Sequence, residues 1–163
     1  MIRKIAALAL LAFCTVAFAR PASAQLAERK ALTLDAAKKM LAASEALAIA
    51  NKWNVSIAIL DVNGDLIAFE RLDGSATIAV VSCQGKARAA LVFGRPTKDL
   101  QDAVAGGRGM PTFSGMGDMT MVQGGLPIRA DGKIIGAIGV GGAASSQDEQ
   151  VAKAGLDSLG ISQ

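Results

Sequence analysis

The chain has 163 residues, 17 Lys+Arg against 14 Asp+Glu, two Cys, one Trp, and neither His nor Tyr. That length implies one domain, and an apolar content of 52% excludes a disordered chain. Without His, a Ser-His-Asp triad, a Cys-His pair and a His-ligated zinc are all excluded.

The formal charge of +3 invites a nucleic-acid partner, but the excess sits at the front. Arg3 and Lys4 form a basic start, Ile5 to Ala19 is an apolar or small run, and Ala22-Ser23-Ala24 is a small-x-small cleavage signal before Gln25. This is the pattern of a secretory signal peptide over 1–24, cut after Ala24. The run is short for a membrane span, and Arg20 and Pro21 close it. Cleavage removes Arg3, Lys4 and Arg20 and no acidic residue, so 17 basic residues fall to 14 and match the 14 acidic ones. The electrostatic case for nucleic acid or an anionic membrane surface then disappears. We therefore expect an exported protein, periplasmic or secreted, with one domain over 25–163 and no stable membrane span after cleavage. Cys14 leaves with the leader, so Cys83 has no internal disulfide partner.

In the remaining chain, Thr33 offers an N-cap and Asp35 falls in the first turn. Leu34, Ala37, Leu41, Ser44 and Ala48 share one helical face, widened by Met40 and Leu47, which predicts a helix over about 34–51. From Trp53 to Leu60 the period changes to two. Val55, Ile57 and Ile59 alternate with Ser56, Ala58 and Leu60. Asn63-Gly64 is a strong hairpin signal, with Leu66 to Arg71 as the return strand.

Ala76 to Phe93 reads as a second long helix, stopped by Gly94 and Pro96, and Thr97 caps a third to about Ala105. Gly106 to Gly117 is a Gly-rich loop. Three short strands are expected next: Asp118 to Gln123, Leu126 to Arg129, and Lys133 to Val140, with Asp131-Gly132 as a second hairpin turn. Ser146 with Glu149 forms a capping box for a last helix ending at Gly160. Strands in antiparallel runs predict an α+β fold, a five-stranded antiparallel sheet with helices packed on it.

Few residues offer chemistry. Gly106 to Gly109 and Gly139 to Gly142 lack the context of a P-loop, although the amides of the second stretch lead towards a helix start and can receive an anion. Asp61, Asp65, Asp73, Asp118 and Asp131 sit beside turns, where turn chemistry explains them. Met110, Met116, Met119 and Met121 cluster within twelve residues, and thioethers are soft ligands for Cu(I) or haem iron. A strand would point Met119 and Met121 to opposite sides, which weakens a chelate and leaves packing as the alternative. Cys83 reads as a buried structural thiol. Arg88, Arg95, Arg108 and Arg129 can pair with ligand carboxylates. No catalytic constellation is visible.

Several segments carry a resemblance. They are Lys86-Ala87-Arg88-Ala89-Ala90, Phe93-Gly94-Arg95-Pro96-Thr97, Gly124-Gly125-Leu126-Pro127-Ile128, and Asp131-Gly132-Lys133 running on through Gly136 to Ala143. With Ile59 to Gly64, Phe69 to Asp73, Asp148 and Ala154-Gly155, the chain resembles the GlcG/HbpS-like family, the haem-degrading-domain family related to the C-terminal domain of PduO-type proteins. The resemblance implies a profilin-like fold, assembly into homo-oligomers, and haem as cofactor. It transfers no axial ligand, because this chain lacks His. The expectation is an exported haem- or tetrapyrrole-binding protein linked to iron or haem handling. Met110, Met116, Met119 and Met121 are its soft contacts, and Arg88, Arg95 and Arg108 face the propionates. The alternative is an accessory or sensor module that binds a small organic acid or a partner protein in a periplasmic oxidation pathway. Cu(I) handling by the methionines is a third reading.

Overall fold

The computed structural model describes residues 29–107 and 118–161. The expected signal peptide, Met110, Met116, Arg108 and most of the Gly-rich loop lie outside the described residues.

Helix α1 spans Leu34–Ala50, with the Thr33 hydroxyl accepting the Ala36 N–H at 3.2 Å. Its buried face is Ala37, Met40, Ser44 and Ala48. Leu34, expected on that face, is exposed. Strands β1 (Ser56–Asp61) and β2 (Leu66–Arg71) follow as an antiparallel hairpin. β1 starts at Ser56 rather than Trp53. The turn closes on itself: the Asp61 carboxylate accepts the N–H groups of Asn63 and Asp65 at 2.8 and 3.0 Å. Gly64 has φ +89°, a conformation that a Cβ would strain.

Helix α2 is Thr77–Phe93, stopped by Gly94 in the left-handed conformation, and α3 is Thr97–Ala105. Strands β3 (Gly125–Ala130) and β4 (Lys133–Gly141) pair across the Asp131-Gly132 turn, and α4 (Ser145–Asp157) closes the fold. The α4 cap differs from the one expected at Ser146. The N-cap is Ala144, whose N–H is accepted by the Gln147 side chain at 3.1 Å.

Among the described residues the sheet has four strands in the order β2-β1-β4-β3, all neighbours antiparallel. The expected count of five strands is corrected to these four. Asp118 to Gln123 is not a strand, because its backbone is taken by helices. Thr120 N–H donates to the Gly85 carbonyl at 3.0 Å, and Gln123 N–H to the Gln101 side chain at 2.8 Å. Gly85 permits this approach, since a Cβ there would collide with Thr120 Oγ1 and sit 2.9 Å from the Asp118 carbonyl.

The sheet is covered on both faces. On one, α1 and α4 bury Met40, Ala48, Val151 and Leu156 against Ile57, Ile59, Ile128, Ile138 and Val140. On the other lies α2, with Ala87 and Ala90 on Leu60 and Ala137. Register places Ala58, Gly139 and Gly125 in one row across β1, β4 and β3. This small-residue row lets the α2 backbone approach the sheet. A Cβ at Gly139 would collide with the Cys83 carbonyl, and one at Gly125 with the Lys86 carbonyl.

Candidate functional site

Both hairpin turns fall at the same end of the sheet, because Asp61 pairs with Gly136. The C-terminal turn of α2 and the segment before α1 reach that end too. Between them is an open groove of about 890 Å³. Its apolar lining is Val62, Leu91, Val92, Ala130, Ile134 and Ile135. Arg29, Lys30, Arg129 and Lys133 bring four cations, against one carboxylate, Asp131. Lys30 Nζ pairs with Asp131 Oδ2 at 2.6 Å. The Arg129 guanidinium donates to the Gly94 carbonyl at 2.6 Å and the Gly132 carbonyl at 3.0 Å, which ties α2 to the second turn. The side chains of Arg29 and Lys133 make no hydrogen bond or ion pair among the described residues. The groove therefore offers an apolar surface with uncompensated positive charge at its rim. It suits an amphipathic anion, and its volume falls in the range of small-molecule sites.

A second feature is fully internal. Lys86 Nζ on α2 meets Asp148 Oδ2 in the first turns of α4 at 2.7 Å, with both side chains about 95% or more buried. Asp148 Oδ1 accepts the Ala143 N–H at 3.0 Å. Burial pushes the Asp148 carboxyl above its ordinary 3.8, against the pull of Lys86. The amide just past the Gly139 to Gly142 stretch is thus served by the chain's own carboxylate. A Cβ at Gly124 would sit 2.8 Å from the Asp148 side chain and 3.0 Å from Lys86 Nζ, so the glycine before β3 lets the chain close over the pair. Burial pushes the nearby Cys83 thiol up to about 12, which makes it a packing group rather than a nucleophile or soft ligand. Among the described residues no cluster of three His, Cys, Asp or Glu can hold a metal ion.

The expected site residues fall elsewhere. Met119 and Met121 both pack on one satellite cluster with Ala89, Phe93, Leu100 and Ala103, rather than on opposite sides. Arg88 lies 3.7 Å from Asp118, and Arg95 is exposed just past the end of α2. Neither lines the groove, whereas Arg129 does. Met110, Met116 and Arg108 are outside the described residues. Arg29, Lys30 and Lys133 were missed. The one local signal was the run of cations around the Asp131-Gly132 turn.

Among the described residues, a four-stranded antiparallel sheet between helix layers, with an open cationic groove at its hairpin end, defines the α+β domain. The model for the family of HbpS-like haem-degrading proteins matches residues 32–157, and the chain belongs to that family. Protein GlcG of Escherichia coli strain K12 is 42% identical over 109 residues, covering 67% of this chain and 80% of GlcG. A double mutant of HbpS from Streptomyces reticuli superposes with a TM-score of 0.76 at 34% identity, covering 86% of this chain and 97% of that one. A haem complex of PduOC matches with a TM-score of 0.77 at 22% identity, covering 82% and 98%, which shows the shared fold. Among the described residues no helix is long and apolar enough to cross a membrane.

Proposed function

We propose that this protein binds haem or a related tetrapyrrole in the groove at the hairpin end of the sheet. The carrying observation is an apolar floor flanked by Arg29 and Lys133, two cations with no ion-pair partner among the described residues. Membership of the HbpS-like family and the haem complex of a structural neighbour support the reading. The residues fit the ring and its carboxylates. Leu91, Val92 and Ile134 offer apolar surface to a macrocycle, and the rim cations offer charge-assisted hydrogen bonds to propionates. A small organic acid would leave the apolar floor unused. Bound haem supplies iron redox chemistry, while the chain's own residues seat and orient the ring.

Hemin added to the purified protein is expected to give a saturable Soret shift at micromolar concentration. The double variant Arg29→Glu/Lys133→Glu should weaken binding at least tenfold with an unchanged circular dichroism spectrum. A hemin titration without saturation would overturn the proposal.

We also propose that the protein is exported after cleavage behind Ala24 and serves iron or haem handling there. The form of residues 1–24 supports export. Self-association is proposed as well. Ile78 and Val81 lie on one face of α2 with 71% and 58% of their surface exposed. Light scattering of the purified protein should report more than one chain per particle.

A further inference from the structure

We propose that the groove holds its tetrapyrrole as a planar apolar dicarboxylate and is indifferent to the central iron, so that metal-free porphyrin binds as well as haem. This rests on the groove being the tetrapyrrole site.

The inference comes from what lines the groove. The common protein ligands of haem iron are imidazole, thiolate, thioether and phenolate. The chain has no His and no Tyr. Among the described residues the groove lining contains neither Met nor Cys. Cys83 is fully buried inside α2, and its thiol hydrogen is given to the Val80 carbonyl. Met119 and Met121 are spent on the cluster between α2 and α3. The remaining oxygen donors of the lining are Asn63 and Asp131, and Asp131 is engaged by Lys30 at 2.6 Å. The groove does offer area for the ring face and positive charge for the carboxylates. Both are properties of the macrocycle and its substituents, common to the iron complex and the free base. Binding energy drawn from these two sources does not distinguish the two ligands.

The test uses the full processed chain, titrated separately with hemin and with protoporphyrin IX. Dissociation constants within fivefold of each other are expected, and Arg29→Glu/Lys133→Glu should weaken both ligands by the same factor. Hemin binding more than fivefold tighter than the free base would overturn the inference while leaving haem binding intact. Leucine at Met110 and Met116 would then show whether those thioethers carry the preference. Failure of both ligands to bind would overturn the tetrapyrrole reading itself, and this inference with it.

Discussion

Lys86 and Asp148 each appear in segments that carry the family resemblance, yet nothing in their neighbourhoods gives them a role. Their 62-residue separation hides the contact that the fold creates. Removing one partner of a buried pair leaves an uncompensated charge or an unsatisfied carboxyl. Lys86→Met is therefore expected to cost about 3 kcal/mol in urea denaturation, and Lys86→Met/Asp148→Leu to recover most of that loss. If the double variant is no more stable than the single one, the pair is not coupled.

Glu70 on β2 is a second residue-scale case. Burial raises its carboxyl above the ordinary 4.5, and the charge and side chain of Glu45 on α1 push in the same direction. A folded-state value above the unfolded one means that the ionised form is disfavoured in the fold. Stability then falls as pH rises from about 4.5 through the raised value, and the loss is complete above it. Glu70→Gln should raise the melting temperature by about 2 °C at pH 7 and leave it unchanged at pH 4. An equal rise at both pH values would show that charge is not the cause.

Elements with a strong local signal were legible. The helix expected over 34–51 ends at Ala50, the return strand Leu66–Arg71 matches, and both hairpin turns stand where Asn63-Gly64 and Asp131-Gly132 place them. Asp118 to Gln123 misled because Met-Thr-Met-Val has the composition of a strand. Its partners proved to be the Gly85 carbonyl and the Gln101 side chain, a tertiary choice that periodicity does not encode. Gly139 was legible as a place of close approach, but not as the seat of α2. Gly139→Ala should cost about 3 kcal/mol in the same denaturation assay, since its new methyl meets backbone that cannot rotate away.

At the scale of the whole molecule, the α+β class followed from element order, whereas the groove did not. Its walls come from positions 29–30, 62–63, 91–92 and 129–135, which meet only when both hairpins and α2 converge. Methionine density drew attention instead to a segment whose described thioethers serve packing. The missing His kept its value throughout. It first excluded whole enzyme classes, and it now shapes the expectation that ring and carboxylates, rather than iron, govern what the groove accepts.

The backbone-to-backbone seating of α2 on Ala58, Gly139 and Gly125 also sets how this molecule breathes. The α1 and α4 layer meets the sheet through long side chains, which can part in steps. α2 has no such cushion, so separating it from β4 exposes both backbones at once. Amide hydrogens of Ala87 to Ala90 and of Ala137 to Gly139 should therefore exchange with deuterium at one shared rate, the slowest in the protein, and only when the entire domain opens.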